Sequence, residues 1–256
     1  MSARKGLGLL GCALLTLAMR NAAAAIIVGA GSSVDFADNN IDLGCSDLNI
    51  AGSVTASSAN FASISNFELD GGSFAPGASQ ISLGGNFANA GSFLPGSSRV
   101  AIVDACGSGT SQMSGVTGFY DFIVATTSGK QILFPVAVAQ SVEHSLTLQG
   151  VAGHLLNIAS STAGQQGVLA LAKGAAQSIS YVNARDNHAS IAHIAPGPPV
   201  QFNSVDGGNL LNWFLDPSGV GALAAAPALG FGRWVLAAAV LLAAARYLFR
   251  RKRKLS

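Results

Sequence analysis

Asp186, His188 and His193 fall within eight residues of one another and are side chains of the kind that ligate divalent metals. A His-x4-His spacing with one nearby carboxylate does not close a metal site, and the stretch runs into Pro196-Gly197-Pro198-Pro199. They read as loop histidines, and no metal ligand is assigned. His144 and His154 stand without matched partners. Carboxylates offer a second chemistry: Asp35, Asp38, Asp42 and Asp47 are close in sequence, as are Glu68 and Asp70. A glycoside hydrolase needs two such groups close together across the scissile bond, and a lyase needs a base opposite a charge-neutralising cation. The basic residues between positions 26 and 220 are Arg99, Lys130, Lys173 and Arg185, scattered along the chain, and carboxylate pairs arise by chance on any solvated acidic surface. No catalytic residue is assigned. The third candidate is Gly29-Ala30-Gly31-Ser32-Ser33, a glycine turn of the kind that cradles a dinucleotide pyrophosphate. Val34 occupies the place of the third glycine and no helical pattern follows, so the segment from Ile26 reads as a strand and turn and no cofactor is assigned.

The elements that would have to position any such residues repeat. Gly72-Ser73-Phe74-Ala75-Pro76-Gly77-Ala78-Ser79 returns as Gly91-Ser92-Phe93-Leu94-Pro95-Gly96-Ser97-Ser98, and Gly52-Ser53-Val54 is a fainter earlier copy. The alternation Ile81, Leu83 recurs as Val100, Ile102. Period-two alternation predicts strands, and a nearly constant offset predicts that successive strands stack about 4.8 Å apart. Inward columns follow: Val54/Phe74/Phe93, Phe61/Ile81/Val100 and Phe67/Phe87/Cys106. The Pro-Gly pairs mark corners. Further short strands are expected at Phe119–Val124, Gln131–Phe134, Ser145–Leu148, Val168–Leu171 and Ser178–Val182, with no amphipathic helix longer than two turns between Ile26 and Val220. The predicted fold is all-β, a right-handed parallel β-helix-like solenoid; a β-sandwich of short strands is the alternative. In regular coils Cys45 and Cys106 stand about three rungs, roughly 14 Å, apart, which favours free buried thiols over a disulfide.

Charge is segregated along the chain. Positions 26–220 hold four basic and twelve acidic residues, a formal charge of −8, while the other ten basic residues lie at the two ends. This excludes a basic nucleic-acid surface on the folded part. Residues 1–25 read as a secretory signal peptide: Arg4 and Lys5 precede an apolar run from Leu7 to Met19, and Ala22–Ala25 offers small-residue cleavage sites. Residues 231–249 are almost wholly apolar, and about 19 residues at 1.5 Å each span about 28 Å, the thickness of a bilayer core. Arg250, Arg251, Lys252, Arg253 and Lys254 follow in a basic tail (250–256) that sets the C-terminus on the cytoplasmic side. The expected organisation is therefore a signal helix (1–25), a solenoid ectodomain (26–218), a Gly/Ala/Pro stalk (219–230), one transmembrane helix (231–249) and the tail.

Pro227-Ala228-Leu229, followed by Trp234, an Ala/Leu-rich helix and the basic cluster, resembles the IPTL/PEP type of C-terminal sorting signal of bacterial surface proteins, with Ala228 where that signal usually carries threonine. The stretches Gly85-Asn86-Phe87-Ala88-Asn89-Ala90-Gly91-Ser92-Phe93, Ser111-Gln112-Met113-Ser114-Gly115, Ser128-Gly129-Lys130 and Asp206-Gly207-Gly208-Asn209 are similar to β-helical repeats of bacterial adhesin-like surface proteins. The resemblance implies a non-catalytic, adhesin-like or structural protein of the cell envelope or surface. It would be anchored in the inner membrane until a sorting transpeptidase acts, and would meet surface polymers or glycans rather than nucleic acid. A polysaccharide-acting enzyme on the same scaffold is the alternative.

Overall fold

A computed structural model describes residues 25–214. Residues 1–24 of the expected signal peptide and the segment expected to hold the sorting motif, the apolar span and the basic tail therefore lie outside the described residues, while Ala25 opens the first strand. The first coils contain β1 (Ala25–Val28), β2 (Ser33–Asp35), β3 (Asn40–Ile50), β4 (Ser53–Thr55), β5 (Asn60–Leu69), β6 (Ser73–Ala75), β7 (Gln80–Leu83), β8 (Phe87–Asn89), β9 (Ser92–Phe93) and β10 (Arg99–Ile102). The later coils contain β11 (Thr110–Ser114), β12 (Thr117–Ala125), β13 (Gln131–Phe134), β14 (Ala139–Gln149), β15 (Leu156–Ser160), β16 (Gly167–Leu171) and β17 (Ala176–Ser180). They end with β18 (Val182–Ala184), β19 (Asn187–Ile191), a 3-10 turn (Pro199–Phe202), β20 (Val205–Asp206) and β21 (Leu210–Leu211).

Among the described residues every pairing between these strands is parallel, each strand lying on its counterpart one coil away. That excludes the antiparallel β-sandwich, whose strands return through hairpins. The chain is a parallel β-solenoid of about eight turns. Its strands fall into a 17-stranded sheet that wraps the long faces and a 4-stranded sheet, β2-β4-β6-β9, that closes the first coils.

The core is built from columns. Val34, Val54, Phe74 and Phe93 lie in register on the four-stranded face. On the long face Phe61, Ile81, Val100, Phe122 and Leu146 form one column, and Ile64, Leu83, Ile102, Val124 and Leu148 the next. Phe67 stacks on Phe87 with ring centroids 4.6 Å apart, the spacing of one rung. Burying each such ring contributes about 1.5–3 kcal/mol. At the far end Trp213 and Phe214 close the same apolar cluster, with the indole N–H donating to Asn187 Oδ1 at 3.0 Å.

Corners explain the glycines. Gly77 and Gly96, with φ of 61° and 56°, take the left-handed turn after each proline. Gly52, Gly72 and Gly91 serve a different need: a Cβ on Gly72 would meet the carbonyl oxygen of Gly52, and one on Gly91 that of Gly72, so glycine lets successive coils touch backbone to backbone. Side chains link other corners. Asn66 donates its backbone and side-chain N–H to Asp47 Oδ1 (both 2.9 Å), Asn86 N–H donates to Asn66 Oδ1 (2.9 Å), and Gln112 N–H to Asn86 Oδ1 (2.9 Å).

Two expectations are corrected. The column through Phe67 and Phe87 continues to Met113 instead of Cys106, because the segment from Val103 to Gly109 leaves the stack and the next inward position comes later. Cys45 and Cys106 are joined as a disulfide, with Cα atoms 4.8 Å apart. Cys45 sits where the register between β3 and β5 shifts, with Gly44 and Cys45 both left-handed. The Val103–Gly109 loop folds back across Gly84, whose missing side chain makes room for the backbone of Ala105 and Gly107. The regular-coil distance does not apply to either cysteine.

Candidate functional site

Most of the carboxylate candidates are spent on local structure, whereas Glu68 and Asp70 are exposed and, among the described residues, their side chains make no hydrogen bond. Asp35 Oδ1 accepts from Ala37 N–H, Asp38 Oδ1 from the Ser58 hydroxyl, Asp42 Oδ1 from Gly44 N–H, and Asp47 anchors the Asn66 ladder. The bond from Gly44 N–H, and then the Ser63 hydroxyl, hold Asp42 below the ordinary carboxylate range. Asp186 accepts from Asn209 Nδ2 at 2.6 Å and from Gly164 N–H at 3.2 Å, bonds that hold its pKa down, while the His193 carbonyl accepts from Gln177. Among the described residues, no group of three or more His, Cys, Asp and Glu side chains comes together. The Gly29–Ser33 turn leads directly into strand β2, so it lacks the helix N-terminus a pyrophosphate would need. Pro227, Ala228, Leu229 and Trp234, and Arg250 to Lys254, lie outside the described residues.

Two constellations emerge that the linear sequence hides. The first ties down the Val103–Gly109 loop. Asp104 accepts from the Thr126 hydroxyl at 2.7 Å and Thr127 N–H at 2.8 Å, with further bonds from the Thr127 hydroxyl and Ser128 N–H. Desolvation pushes the Asp104 carboxyl up, but these donors together outweigh it and hold the pKa at about 2. Lys130 is buried, 1% exposed, and its ammonium donates to the carbonyls of Gly84 at 2.7 Å and Ser108 at 2.6 Å. Burial lowers the Lys130 pKa and the Asp104 charge partly restores it. One cation thus pins the loop to the coil beneath, beside the Cys45–Cys106 bridge.

The second constellation lies on the outer surface where β12 and β14 bend. His144 Nδ1 lies 2.7 Å from Asp121 Oδ1, and the Ser145 hydroxyl donates to the same oxygen. The imidazole lies flat on the Tyr120 ring, centroids 4.5 Å apart and planes within 12°. His144 is exposed, with 58% of its side chain accessible, so solvent and ligand both reach this shelf. The hydroxyl and the imidazole both bond to the carboxylate and not to each other, so the trio is not a nucleophile–base relay. It holds the exposed imidazole flat against the Tyr120 ring. His144, unpartnered in sequence, acquires its partner because Asp121 and Ser145 are register neighbours across one lengthened coil. A period of about 24 residues, if anticipated, would have paired them.

The chain matches no family model, no curated protein and no solved structure. Its class therefore rests on its own architecture: a disulfide-stapled parallel β-solenoid with a dry, aromatic-rich axis and a polar exterior.

Proposed function

We propose that the protein is an exported, non-catalytic component of the bacterial cell envelope or surface, adhesin-like or structural, whose solenoid is a right-handed β-helix held at the membrane by the C-terminal apolar segment. The observation that carries this reading is the uninterrupted stack of parallel coils, which forms a stiff rod with long, pre-ordered outer faces that engage a partner at little ordering cost. The disulfide supports it, since such bonds persist in oxidising compartments. So does the use of Asp35, Asp42 and Asp47 in turns and ladders, which leaves these carboxylates poorly placed for acid–base work. The signal peptide rests on the residue pattern of positions 1–25, and the sorting motif at Pro227-Ala228-Leu229 with Trp234 and a sorting transpeptidase as partner rest on the sequence resemblance. Protease shaving of intact cells that express the full chain, with blots of each fraction, tests the placement. The expected result is a solenoid degraded from outside; a chain found only in the cytosol overturns the reading.

A polysaccharide-acting enzyme is the second reading, favoured by one observation, the exposed Asp121–His144 pair. Release of reducing ends from a glycan panel, abolished by Asp121→Asn, would establish it in place of the first.

A further inference from the structure

The register of the long face sets two kinds of side chain side by side. Asn60, Gln80, Arg99 and Asp121 form one outward column. Two residues further along each strand, and so on the same outer face, come Ala62, Ser82, Ala101 and Ile123. Long polar side chains therefore rise beside a floor of small ones that ends at the larger, buried Ile123. The result is a groove of about 340 Å³ across β5, β7, β10 and β12, lined by Asn60, Gln80, Ile81, Ser82, Arg99, Ala101 and Ile123. Asp121, the next rung of the polar column, holds the His144–Tyr120 shelf at the end of this row.

What sets this row apart is what its side chains are not doing. Asn66 and Asn86, at a corner of the same coils, are committed to inter-coil hydrogen bonds. Asn60, Gln80 and Arg99 are exposed, and among the described residues their side chains make neither a hydrogen bond nor an ion pair with the protein, although the strands hold them at fixed intervals. Their amides offer donors and acceptors together, and the guanidinium offers a fork of donors. Hydroxyl groups satisfy such a set, whereas an aliphatic partner would strand it. The small floor and the exposed imidazole of His144, stacked on Tyr120, accept the apolar face of a ring. Arg99 and Asp121, on adjacent rungs, cancel in charge, and the surrounding segment carries −8, which repels polyanions.

We propose that this groove binds a neutral glycan chain, laid along the solenoid axis with its hydroxyls on Asn60, Gln80 and Arg99 and a sugar ring on the Tyr120–His144 shelf. The proposal rests on the surface-protein reading above and names its ligand class. The test is co-sedimentation of the full-length chain, in neutral detergent, with insoluble cellulose, β-1,3-glucan, mannan and chitin, and retardation in gels containing polygalacturonate as the anionic comparison. The expected result is retention by at least one neutral glycan, weakened about tenfold or more by Arg99→Ala and by Tyr120→Ala, less by Gln80→Ala, and unchanged by Lys173→Ala. Gln80, Arg99 and Lys173 are exposed, so those variants should melt with the parent; Tyr120 is half-buried, and melting curves check for every variant that weakened binding is not unfolding. The proposal is overturned by retention on none of the neutral glycans, by retention indifferent to Arg99 and Tyr120, or by binding confined to polygalacturonate. Failure here in a protein that protease shaving finds on the cell surface removes the groove and leaves the surface role standing; a cytosolic chain removes the role itself.

Discussion

The coils from Asn40 to Ile102 and those from Thr110 to Leu211 share the long 17-stranded sheet but differ in the length of chain each turn takes and in the four-stranded face, which only the first coils carry. In the first set register partners lie 19 or 20 residues apart, as in Asn40 with Asn60 and Gln80 with Arg99. In the second the interval stretches to 22 between Arg99 and Asp121, 24 between Asp121 and Ser145, and 31 between Ser145 and Ala176. Two inward columns of the long face nevertheless cross from one set into the other, through Val100, Phe122 and Leu146 and through Ile102, Val124, Leu148 and Ile179. Stacking constrains the side chains that meet at each rung and leaves corner length free, because added residues bulge outward where water satisfies their backbone. The first coils are held by packing and by the Asp47–Asn66–Asn86 ladder; where the corners lengthen, further devices appear, and the Cys45–Cys106 bridge, Lys130 and Asp104 all act on one loop, Val103–Gly109.

The contrast can be broken at graded strengths. Phe87→Ala, in the regular set, removes a ring packed against Phe67, Phe93 and Phe119, and is expected to cost about 3–5 kcal/mol in equilibrium denaturation. Cys45→Ser opens the bridge and should cost about 2–4 kcal/mol, with hydrogen exchange rising first in residues 103–109 while the Phe67–Phe87 rungs stay protected. Equal loss of protection in both regions would show that the loop and the coils are a single cooperative unit. Lys130→Met leaves the carbonyls of Gly84 and Ser108 without their charged donor and is expected to cost about 1.5–3 kcal/mol, again with local exchange.

The smallest effect is that of pH. The Asp104 carboxyl is held at about 2, below its unfolded value, so its contribution is fully present above about pH 4 and is lost as pH falls through about 2. Because Asp104 is only half-buried, solvent screening keeps this to about 1 kcal/mol or less. Acid titration of stability should therefore flatten between pH 4 and 2 in Asp104→Asn relative to the parent, and identical slopes would remove Asp104 from the account.

The same contrast explains how much was legible in the sequence. Val54, Phe74 and Phe93 announce their column because their corners have constant length, and Phe61, Ile81 and Val100 do likewise. The pattern fails at Cys106: the inserted loop moves the next inward position from 106 to 113, where Met113 takes the place under Phe87. The disulfide was hidden for the same reason, since a distance reckoned in whole coils cannot anticipate a loop that folds back over Gly84. The strand limits at Gln131–Phe134 and Val168–Leu171 were readable from alternation, whereas Ser178–Val182 divides at Tyr181, whose φ of 54° turns the chain between β17 and β18. Asp121 and His144 could not be paired without knowing the length of their coil. The groove needed the structure for another reason: Asn60, Gln80 and Arg99 look like ordinary solvated residues until register puts them in one row.

The claim on which everything depends is that equivalent residues of successive coils lie one rung apart. Nitroxide labels at Ser73→Cys and Ser92→Cys, register neighbours on β6 and β9, test it through spin–spin broadening, with Ser33→Cys and Ser92→Cys, three rungs apart, as the comparison. The account predicts strong broadening in the first pair, at about 5 Å between backbones, and much weaker broadening in the second, at about 14 Å. No broadening in the first pair, or equal broadening in both, would contradict the stacked solenoid.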